Sequence, residues 1–491
     1  MSQSDLNIPG SFRGVWFAED GEIFLSFEAG GEDNRHTESH PLKSPASQGW
    51  ARRHLRHTNG KPPTAYDVEN FTNDLMSKAY EDNIRMETFL RVGEFEDRIY
   101  VDLGTPDWKC VEIDAEGWRI ILQAPIAFRR NAQMRPLPIP ESGGSFEVLR
   151  EFANFPSRTD FLLFVSFLIN AYHPTGPYFH LFLIGEKGSA KSSLALLIQK
   201  LIHPSASSLK GFPKDENNLI IEAYHNRLVM IDNANDLGKW MPDALCRLAT
   251  GSGTSARSLY TNRDQMAFSV ARPALMTAHE IPSKQDDLIE RSLVVQLERL
   301  DSFGTRSVIR KFDRISGKIL GVIFDALSQS LANQKVMPEE SLRLHRMADA
   351  SYLIACGFEK IGWDSPEDFL MAIEAVQSEA TTKTDAGKDP LISAVVQAMA
   401  SRDEWQDTPT EILNVLRAEA KNPHILPKTA NVLSRRLKNL DGYFFAYGLV
   451  VTTGLHAPGG TDRLIRIAKN PAVYRLPSDT VMEKAQGNQS A

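Results

Sequence analysis

Residues 180–202, HLFLIGEKGSAKSSLALLIQKLI, combine an apolar run, a loop rich in small and charged residues, and a second apolar run of helical character. The loop from Gly185 to Ser192 has the spacing GxxxxGK[ST], except that Ala190 stands in place of the second glycine. A loop between a strand and a helix turns its backbone N–H groups and the positive helix end toward a phosphate. The stretch predicts an α/β fold with a phosphate-binding loop; an ordinary strand-to-helix turn is the alternative.

The side chains of this loop predict a nucleoside triphosphate and a magnesium ion as ligands. Lys191 would neutralise the outer phosphates, and the Ser192 hydroxyl would reach Mg²⁺. The nucleotide contacts are expected from Gly185, Glu186, Lys187, Gly188, Ser189, Ala190, Lys191, Ser192 and Ser193. The sequence therefore predicts an ATPase with ATP and Mg²⁺ as cofactors.

A second apolar strand, Leu228 to Asp232, ends in a carboxylate. We expect Asp232 to hold Mg²⁺ opposite Ser192, the alternative being an acid that merely ends a strand. Asn233 stands where many ATPases carry a second acid that orients the attacking water. Asp236 and Glu216 are the candidates to replace that acid.

Two further segments add catalytic candidates. Arg272 to Ala278 is a buried strand with Thr277 near its end, where a hydroxyl can sense the γ-phosphate. In DDLIERSLVVQL, Arg291 stands between a short acidic loop and another apolar strand. An arginine in that position can stabilise transition-state charge in the site of a neighbouring subunit. A surface arginine in a salt bridge is the alternative.

The bulk composition predicts a folded, multi-domain protein. The chain has 491 residues, of which 42% are hydrophobic and 24% charged, and a formal net charge of −7. This length suggests about three domains, and the negative charge confines any nucleic-acid contact to local patches. The longest apolar run, Phe161 to Tyr172, is shorter than the ~18 residues of a membrane span. Without a signal-peptide pattern or paired cysteines, the sequence predicts a cytoplasmic protein without membrane contact, disulfides or zinc.

The carboxy-terminal part predicts a winged helix. Thr408 to Glu411 is a capping box with proline at the first helical position, and a second helix starts near Thr429. Two strands, Tyr443 to Thr452 and Arg463 to Ile467, flank a Gly459-Gly460 turn. One polar face of the second helix would enter a DNA groove, although such domains also serve protein contacts. That face consists of Asn431, Ser434, Arg435 and Lys438.

Shifts in composition divide the chain into five regions. Residues 11–126 are predicted to form mostly short strands, with a loop and a helix over 30–63, and no cluster of acidic metal ligands for a primase-polymerase is found there. A Pro/Gly-rich segment, Pro136 to Gly144, marks the first boundary. The regions are a β-rich accessory N-terminal domain without catalysis (1–140), the P-loop ATPase core (145–301), a helical domain (302–400), the winged-helix domain (405–476) and a disordered tail (477–491).

The order of these segments resembles the superfamily 3 helicases of the AAA+ class. More closely, the chain is similar to bacterial ATP-binding proteins of mobile elements that resemble the helicase part of poxvirus- and phage-type primase-helicases. The residues that carry the resemblance are 117–130, 185–193, Asp232 with Asn233, 243–262, 287–292, 346–349 and 427–437.

The resemblance implies an AAA+ core that assembles as a homo-oligomer, a hexameric ring, with a hairpin that grips one DNA strand in the pore. Arg257, Tyr260 and Arg263 match that hairpin, with a surface hairpin as the alternative. Alanine at Ala190 and the Asp232-Asn233 pair fit the family pattern, whereas Thr277-Ala278 replaces its usual Asn-Gly.

The function expected from the resemblance is an ATP-driven DNA helicase or translocase that acts as a ring in replication of a mobile element. Its partners would be single-stranded or forked DNA and a possible primase. An ATP-dependent DNA-bound switch or sensor in phage defence or regulation, without unwinding, is the second hypothesis. A small-molecule P-loop kinase is a third, which explains neither Arg291 nor the winged helix.

Overall fold

The chain, described here from a computed structural model, is a mixed α/β protein with two compact units. One comprises Met1–Pro282 and Glu290–Ile373, and the other Ser283–Ile289 and Glu374–Ala491. The structure describes residues 11–206, 212–251, 254–257, 265–268, 270–283, 285–300, 305–383, 389–419, 426–440, 444, 447–456 and 463–469.

The first unit begins with a small sheet that is covered by two helices. Strands β1 (Phe12–Phe17), β2 (Ile23–Ala29) and β3 (His36–Pro41) form an antiparallel sheet in that order. Helices α1 (Pro45–Asn59) and α2 (Ala65–Asp82) follow, and Trp50 of α1 stacks on Phe27 of β2. Helix α2 was not predicted. Its apolar positions Val68, Phe71, Leu75 and Ala79 recur at helical spacing and are buried.

Two further strand groups complete the amino-terminal part. Strands β5 (Val92–Phe95), β6 (Arg98–Asp102), β7 (Cys110–Asp114) and β8 (Gly117–Ile121) form an antiparallel sheet in chain order. The short strands β4 (Thr88–Phe89) and β9 (Ala127–Phe128) pair in parallel. Cys110, Cys246 and Cys356 are all buried and free.

A four-stranded parallel sheet lies at the centre of the first unit. Its strands are β10 (His180–Ile184), β11 (Val229–Ile231), β14 (Ala274–Ala278) and β15 (Ser292–Gln296), in the order β11-β14-β10-β15. Every residue of β10, β11 and β14 is buried. Parallel sheets are covered on both faces, which explains why these segments are uninterrupted apolar runs. Because all four strands are parallel, their carboxyl ends meet at one edge.

Helices and one hairpin connect these strands. The helices are α3 (Arg158–Asn170), α4 (Lys191–Ile202), α5 (Glu216–His225) and α6 (Met241–Thr250), and the hairpin pairs β12 (Thr254–Arg257) with β13 (Gln265–Phe268). Helix α3 is buried at every position from Phe161 to Asn170, so its apolar run faces protein on all sides. Within the described residues, no helix is both long and apolar enough to span a membrane.

A helical region follows β15. It contains α8 (Thr305–Gln334), α9 (Ala348–Cys356), α10 (Phe358–Ile361) and α11 (Pro366–Lys383), while the short helix α7 (Asp286–Ile289) precedes β15. An ion pair of 2.5 Å between Lys200 and Asp313 ties α8 to α4. Helix α8 thereby supports the helix that begins at the predicted phosphate loop.

The second unit packs three helices against a three-stranded sheet. The helices are α12 (Pro390–Met399), α13 (Pro409–Glu419) and α14 (Ala430–Asn439), and the antiparallel sheet has the order β16 (Glu404–Asp407), β18 (Arg463–Lys469), β17 (Leu449–His456). Thr408 and Thr429 cap α13 and α14 through their hydroxyl groups. Strand β16 was not predicted, because its polar sequence EWQD carries no apolar alternation. The predicted Gly459-Gly460 turn and the predicted tail lie outside the described residues.

Candidate active site

The loop from Gly185 to Ser192 lies between the carboxyl end of β10 and α4. A Cβ atom on Gly185 would lie 2.3 Å from the carbonyl oxygen of Leu297, so only glycine fits against that neighbouring backbone. Ala190 has a φ of 59° and occupies the left-handed region directly before α4. This conformation costs a non-glycine residue about 1–2 kcal/mol, which explains why the general pattern places glycine there.

Backbone donors of this loop are free to bind an anion. Within the described residues, no protein acceptor takes a hydrogen bond from the N–H groups of Lys187, Gly188 or Ala190. The Lys191 ammonium donates to the carbonyl oxygens of Gly185 at 2.6 Å and Glu186 at 2.9 Å, which holds it over the loop. Burial lowers the pKa of Lys191, and the nearby Asp232 carboxylate opposes that shift. The N–H groups and the ammonium together form a concave, positive surface at a helix start.

Three of the predicted catalytic side chains meet at the carboxyl edge of the sheet. The Ser192 hydroxyl donates to Asp232 Oδ1 at 2.7 Å, and the Thr277 hydroxyl donates to the same oxygen at 2.6 Å. Thr277 lies in β14 beside Leu183 of β10, and Asp232 follows the end of β11. The cluster therefore results from the strand order, which places β14 between β10 and β11.

Asparagine side chains extend this cluster. Asn233 has a φ of 58°, and its backbone N–H donates to the Thr277 hydroxyl at 2.9 Å. Asn235, which the sequence analysis did not single out, donates to Asn233 Oδ1 at 2.8 Å and accepts from the backbone N–H of His279 at 2.9 Å. Asn235 thus joins the segment after β11 to the segment after β14. No local sequence pattern could have identified it.

The two candidates for a substitute acid have other partners. Glu216 pairs with Arg247 at 2.6 Å, which ties α5 to α6. Asp236 is exposed and accepts the backbone N–H of Gly238 at 2.8 Å. Both carboxylates thus have a structural role of their own.

Arg291 lies at the opposite end of the strands. It directly precedes β15, and the register pairs Ser292 with His180 at the start of β10 and Gln296 with Ile184 at its end. The backbone N–H of His180 donates to the Arg291 carbonyl at 2.9 Å. The structure therefore brings Lys191, Ser192, Asp232 and Thr277 together and leaves Arg291 at the far edge.

The predicted DNA contacts are placed in part. The β12–β13 hairpin lies in the chain between β11 and β14, and Arg257 is the last residue of β12, paired with Gln265. Tyr260 and Arg263 fall in the connecting segment 258–264, which lies outside the described residues.

The polar face of α14 is in the second unit. Asn431, Arg435 and Lys438 are exposed, while Ser434 is half-buried and donates its hydroxyl to the Ala430 carbonyl at 3.1 Å. Leu433 and Leu437 on the other face are fully buried. The helix therefore presents three of the four predicted polar side chains to solvent.

His180 is a buried histidine at the base of the site. Its Nε2 donates to the Leu245 carbonyl at 2.8 Å and its Nδ1 accepts the Ala274 backbone N–H at 3.0 Å, so the ring is neutral. Burial, opposed by the bond to Leu245 and assisted by the nearby Arg291 charge, lowers its pKa to about 4. The ring joins β10 to β14 and α6 only in its uncharged form.

Comparison with known proteins identifies a class of replication proteins of mobile elements. Residues 146–364 match the family described as actinomycete integrative conjugative element replication protein, and residues 391–482 match the RepA C-terminal domain of the same elements. The two matches together cover more than half of the chain. It belongs to the RepA replication proteins of actinomycete integrative conjugative elements, in agreement with the predicted mobile-element resemblance.

Solved structures with helicase titles are also similar in part. The apo structure of the NrS-1 C-terminal region is 13% identical with a TM-score of 0.42, over 93% of this chain and 96% of that one. The structure titled SCCmec type IV Cch, active helicase, is 11% identical with a TM-score of 0.43, over 93% of this chain and 92% of that one. Such values do not establish a common fold or function. No curated protein sequence matches the chain.

The buried His180 ring predicts a loss of stability in mild acid. The unfolded chain takes up a proton near pH 6.5 whereas the folded ring does so only near pH 4, so stability falls as the pH is lowered between these values. For this one residue, the loss should be about 2 kcal/mol at pH 5 relative to pH 7. Thermal unfolding of His180→Gln at pH 7 and pH 5 should show a smaller drop than in the wild type. His57→Gln, at an exposed position of α1, serves as the control, and equal drops in all three proteins would contradict the prediction.

Proposed function

We propose that this replication protein is an ATP-driven DNA helicase or translocase that works as a ring. The observation that carries the proposal is the convergence of Ser192 and Thr277 on Asp232 at the edge where the 185–192 loop begins α4. A lysine-containing loop, a hydroxyl at the helix start and a strand-end carboxylate are the parts that a P-loop ATPase core requires. Membership of a replication family agrees with an activity on DNA.

The residues at this edge fit ATP with Mg²⁺. The unpaired N–H groups and the Lys191 ammonium suit the phosphates, and the adjacent Ser192 hydroxyl and Asp232 carboxylate supply oxygen ligands of the type that Mg²⁺ prefers. Within the described residues, no group of three or more His, Cys, Asp or Glu side chains is arranged to hold a metal ion by itself. One carboxylate plus nucleotide phosphates is the usual protein environment of Mg²⁺, which when bound would neutralise charge on the phosphates.

The chain's own residues can then position the reacting groups. Thr277 holds Asp232 in place and lies where its hydroxyl senses the γ-phosphate. Asn233 and Asn235 cannot accept a proton, but a carboxamide can orient an attacking water by hydrogen bonding, as glutamine does in other nucleotide hydrolases. Hydrolysis in this site would therefore depend on positioning and charge rather than on a strong general base.

Arg291 supports the ring. An arginine at the amino-terminal edge of the sheet cannot reach the loop at the carboxyl edge of the same sheet, but it can complete the site of a neighbouring copy. Superfamily 3 rings of the AAA+ class, commonly hexamers, use an arginine in this way, and a hexamer is the assembly proposed here. A primase that supplies primers to the replicated element would be a separate partner.

Two surfaces are proposed to bind DNA. The β12–β13 hairpin would project into the pore, with Arg257, Tyr260 and Arg263 available for phosphate contact and base stacking. Helix α14 with the sheet of the second unit fits a winged helix, in which Asn431, Ser434, Arg435 and Lys438 would enter a DNA groove.

Lys191→Ala tests the ATP site. We expect loss of ATP hydrolysis with the fold intact, because Lys191 is partly exposed on the loop and neutralises phosphate charge rather than supporting a core. Steady-state phosphate release and circular dichroism measure the two effects. Lys360→Ala, which removes an exposed lysine of α10, is the control and should keep wild-type turnover. Retained turnover in Lys191→Ala would place the ATP site elsewhere.

Arg291→Ala tests the shared site. The variant should still bind nucleotide but lose turnover, since arginine fingers contribute about 10³ to 10⁵ in rate. Arg291→Lys should not restore it, because lysine lacks the planar fork that holds two phosphate oxygens. Mixing Arg291→Ala with Lys191→Ala should partly restore phosphate release through interfaces that combine an intact loop with an intact arginine. Full activity of a monomeric protein, established by native mass measurement, would refute the arrangement.

Forked DNA separates the proposed function from the binding switch. We expect single-stranded DNA to stimulate ATP turnover and a labelled fork to be unwound with ATP. Stimulated turnover without strand separation would favour an ATP-dependent switch that assembles on DNA, and turnover indifferent to DNA would favour a small-molecule kinase. The Lys191→Ala variant provides the background for both assays.

A further inference from the structure

We infer that helices α1 and α2 of the amino-terminal part form a separate binding groove for the phosphodiester backbone of single-stranded DNA. The groove has a volume of about 470 Å³ and is lined by Arg52, Arg53, Arg56, Pro62, Pro63 and Ala65. It lies outside the ATP site, the hairpin and α14. The inference is therefore independent of the ATP chemistry proposed above.

The charge of this segment differs from that of the whole chain. Residues 39–66 contain Lys43, Arg52, Arg53, Arg56 and Lys61 and no Asp or Glu, in a chain whose acids outnumber its bases by 62 to 55. A basic surface on an acidic protein is retained against the average composition and attracts polyanions locally.

The arginines of the groove are available for a ligand. Arg52, Arg53 and Arg56 are exposed, and within the described residues no hydrogen bond or ion pair ties any of them to a carboxylate. Elsewhere in the first unit, arginines such as Arg130, Arg158 and Arg346 pair with acids. Arg52 and Arg56 are four residues apart on α1, so their side chains lie on one face about 5–6 Å apart at Cβ. This spacing suits neighbouring phosphates of one strand.

The helix that carries these arginines is fixed from its other side. Trp50 and His54 are buried and stack on one another, and both contact Phe71 of α2. Gly60, in the left-handed conformation at φ 66°, ends α1 and turns the chain into Pro62 and Pro63. The groove is therefore a built concavity between two packed helices rather than a set of mobile side chains.

An exposed aromatic side chain next to the groove favours an unpaired strand. Tyr66 follows the lining residue Ala65 and is 70% exposed, which is unusual for a tyrosine. Aromatic side chains beside a basic groove stack on unpaired bases in proteins that bind single strands. Asp67 is the nearest acid in sequence, and its carboxylate is held by the Thr64 backbone N–H at 2.7 Å in the cap of α2. Its charge is thus directed to the helix start.

The test is the affinity of the full-length chain for a labelled oligo-dT strand, measured by fluorescence anisotropy across a range of salt. Arg52→Gln/Arg56→Gln should bind roughly 10- to 100-fold more weakly at 50 mM salt and lower the slope of log affinity against log salt by about 1.4. The matched control is Arg310→Gln/Arg314→Gln, which removes two exposed arginines at the same spacing on α8. The control should bind as the wild type does.

Two further variants separate base stacking from charge. Tyr66→Ala should weaken oligo-dT binding roughly tenfold, whereas Tyr66→Phe should not, because phenylalanine keeps the ring that stacks on a base. Basal ATP turnover should be unchanged in all groove variants, which distinguishes this site from the ATP site. Unchanged affinity of Arg52→Gln/Arg56→Gln, or a loss equal to that of the α8 control, overturns the inference. A loss confined to duplex DNA, or to polyglutamate as a model of an acidic protein, also overturns it.

Discussion

The Asp232 carboxylate accepts hydrogen bonds from two hydroxyl groups that arrive from different segments, and the arrangement of the site depends on this junction. Ser192 brings the start of α4, Thr277 brings β14, and Asp232 itself brings the end of β11. Bonds to a charged acceptor are stronger than those between neutral groups. The junction fixes the loop relative to two strands, and the backbone N–H of Asn233 adds a third connection through Thr277.

This junction exists because the central sheet is parallel and has the order β11-β14-β10-β15. The carboxyl ends of the first three strands then meet at one edge, where side chains distant in sequence become neighbours. The same constraint places Arg291 at the other edge, since it precedes β15 instead of following it. The sheet thereby assigns the loop and the arginine to opposite sides of one subunit. A shared site between copies is the simplest arrangement in which both act on one phosphate.

The buried charges and rings beneath the sheet place a further condition on the fold. His180 is a donor to α6 and an acceptor from β14 only when neutral, so the stability of the sheet is linked to pH through one ring. On the surface, by contrast, basic residues are concentrated locally. The unpaired arginines of α1 and the polar face of α14 lie in different units, which gives an acidic protein two separate surfaces suited to a polyanion.

The sequence by itself determined the local features, because these depend on residues close together in the chain. The apolar runs of β10, β11 and β14 predicted a buried sheet, and the spacing of the loop together with the later motifs pointed to the mobile-element replication proteins that the family matches then confirmed. Capping threonines predicted where α13 and α14 begin. Helix α2 was missed although its apolar spacing is helical, and β16 was missed because it is polar and forms only by pairing with β18.

Only the tertiary structure decided which distant side chains meet. Strand order is a non-local property, so the contact of Asp232 with both Ser192 and Thr277, the bridge made by Asn235 and the pairing of Glu216 with Arg247 could not be obtained from spacing. The groove of α1 and α2 depended on the packing of Trp50 and His54 against Phe71, which turns the arginines outward together. Local sequence sets which residues are polar or helical, whereas close packing of the whole chain sets which of them become neighbours.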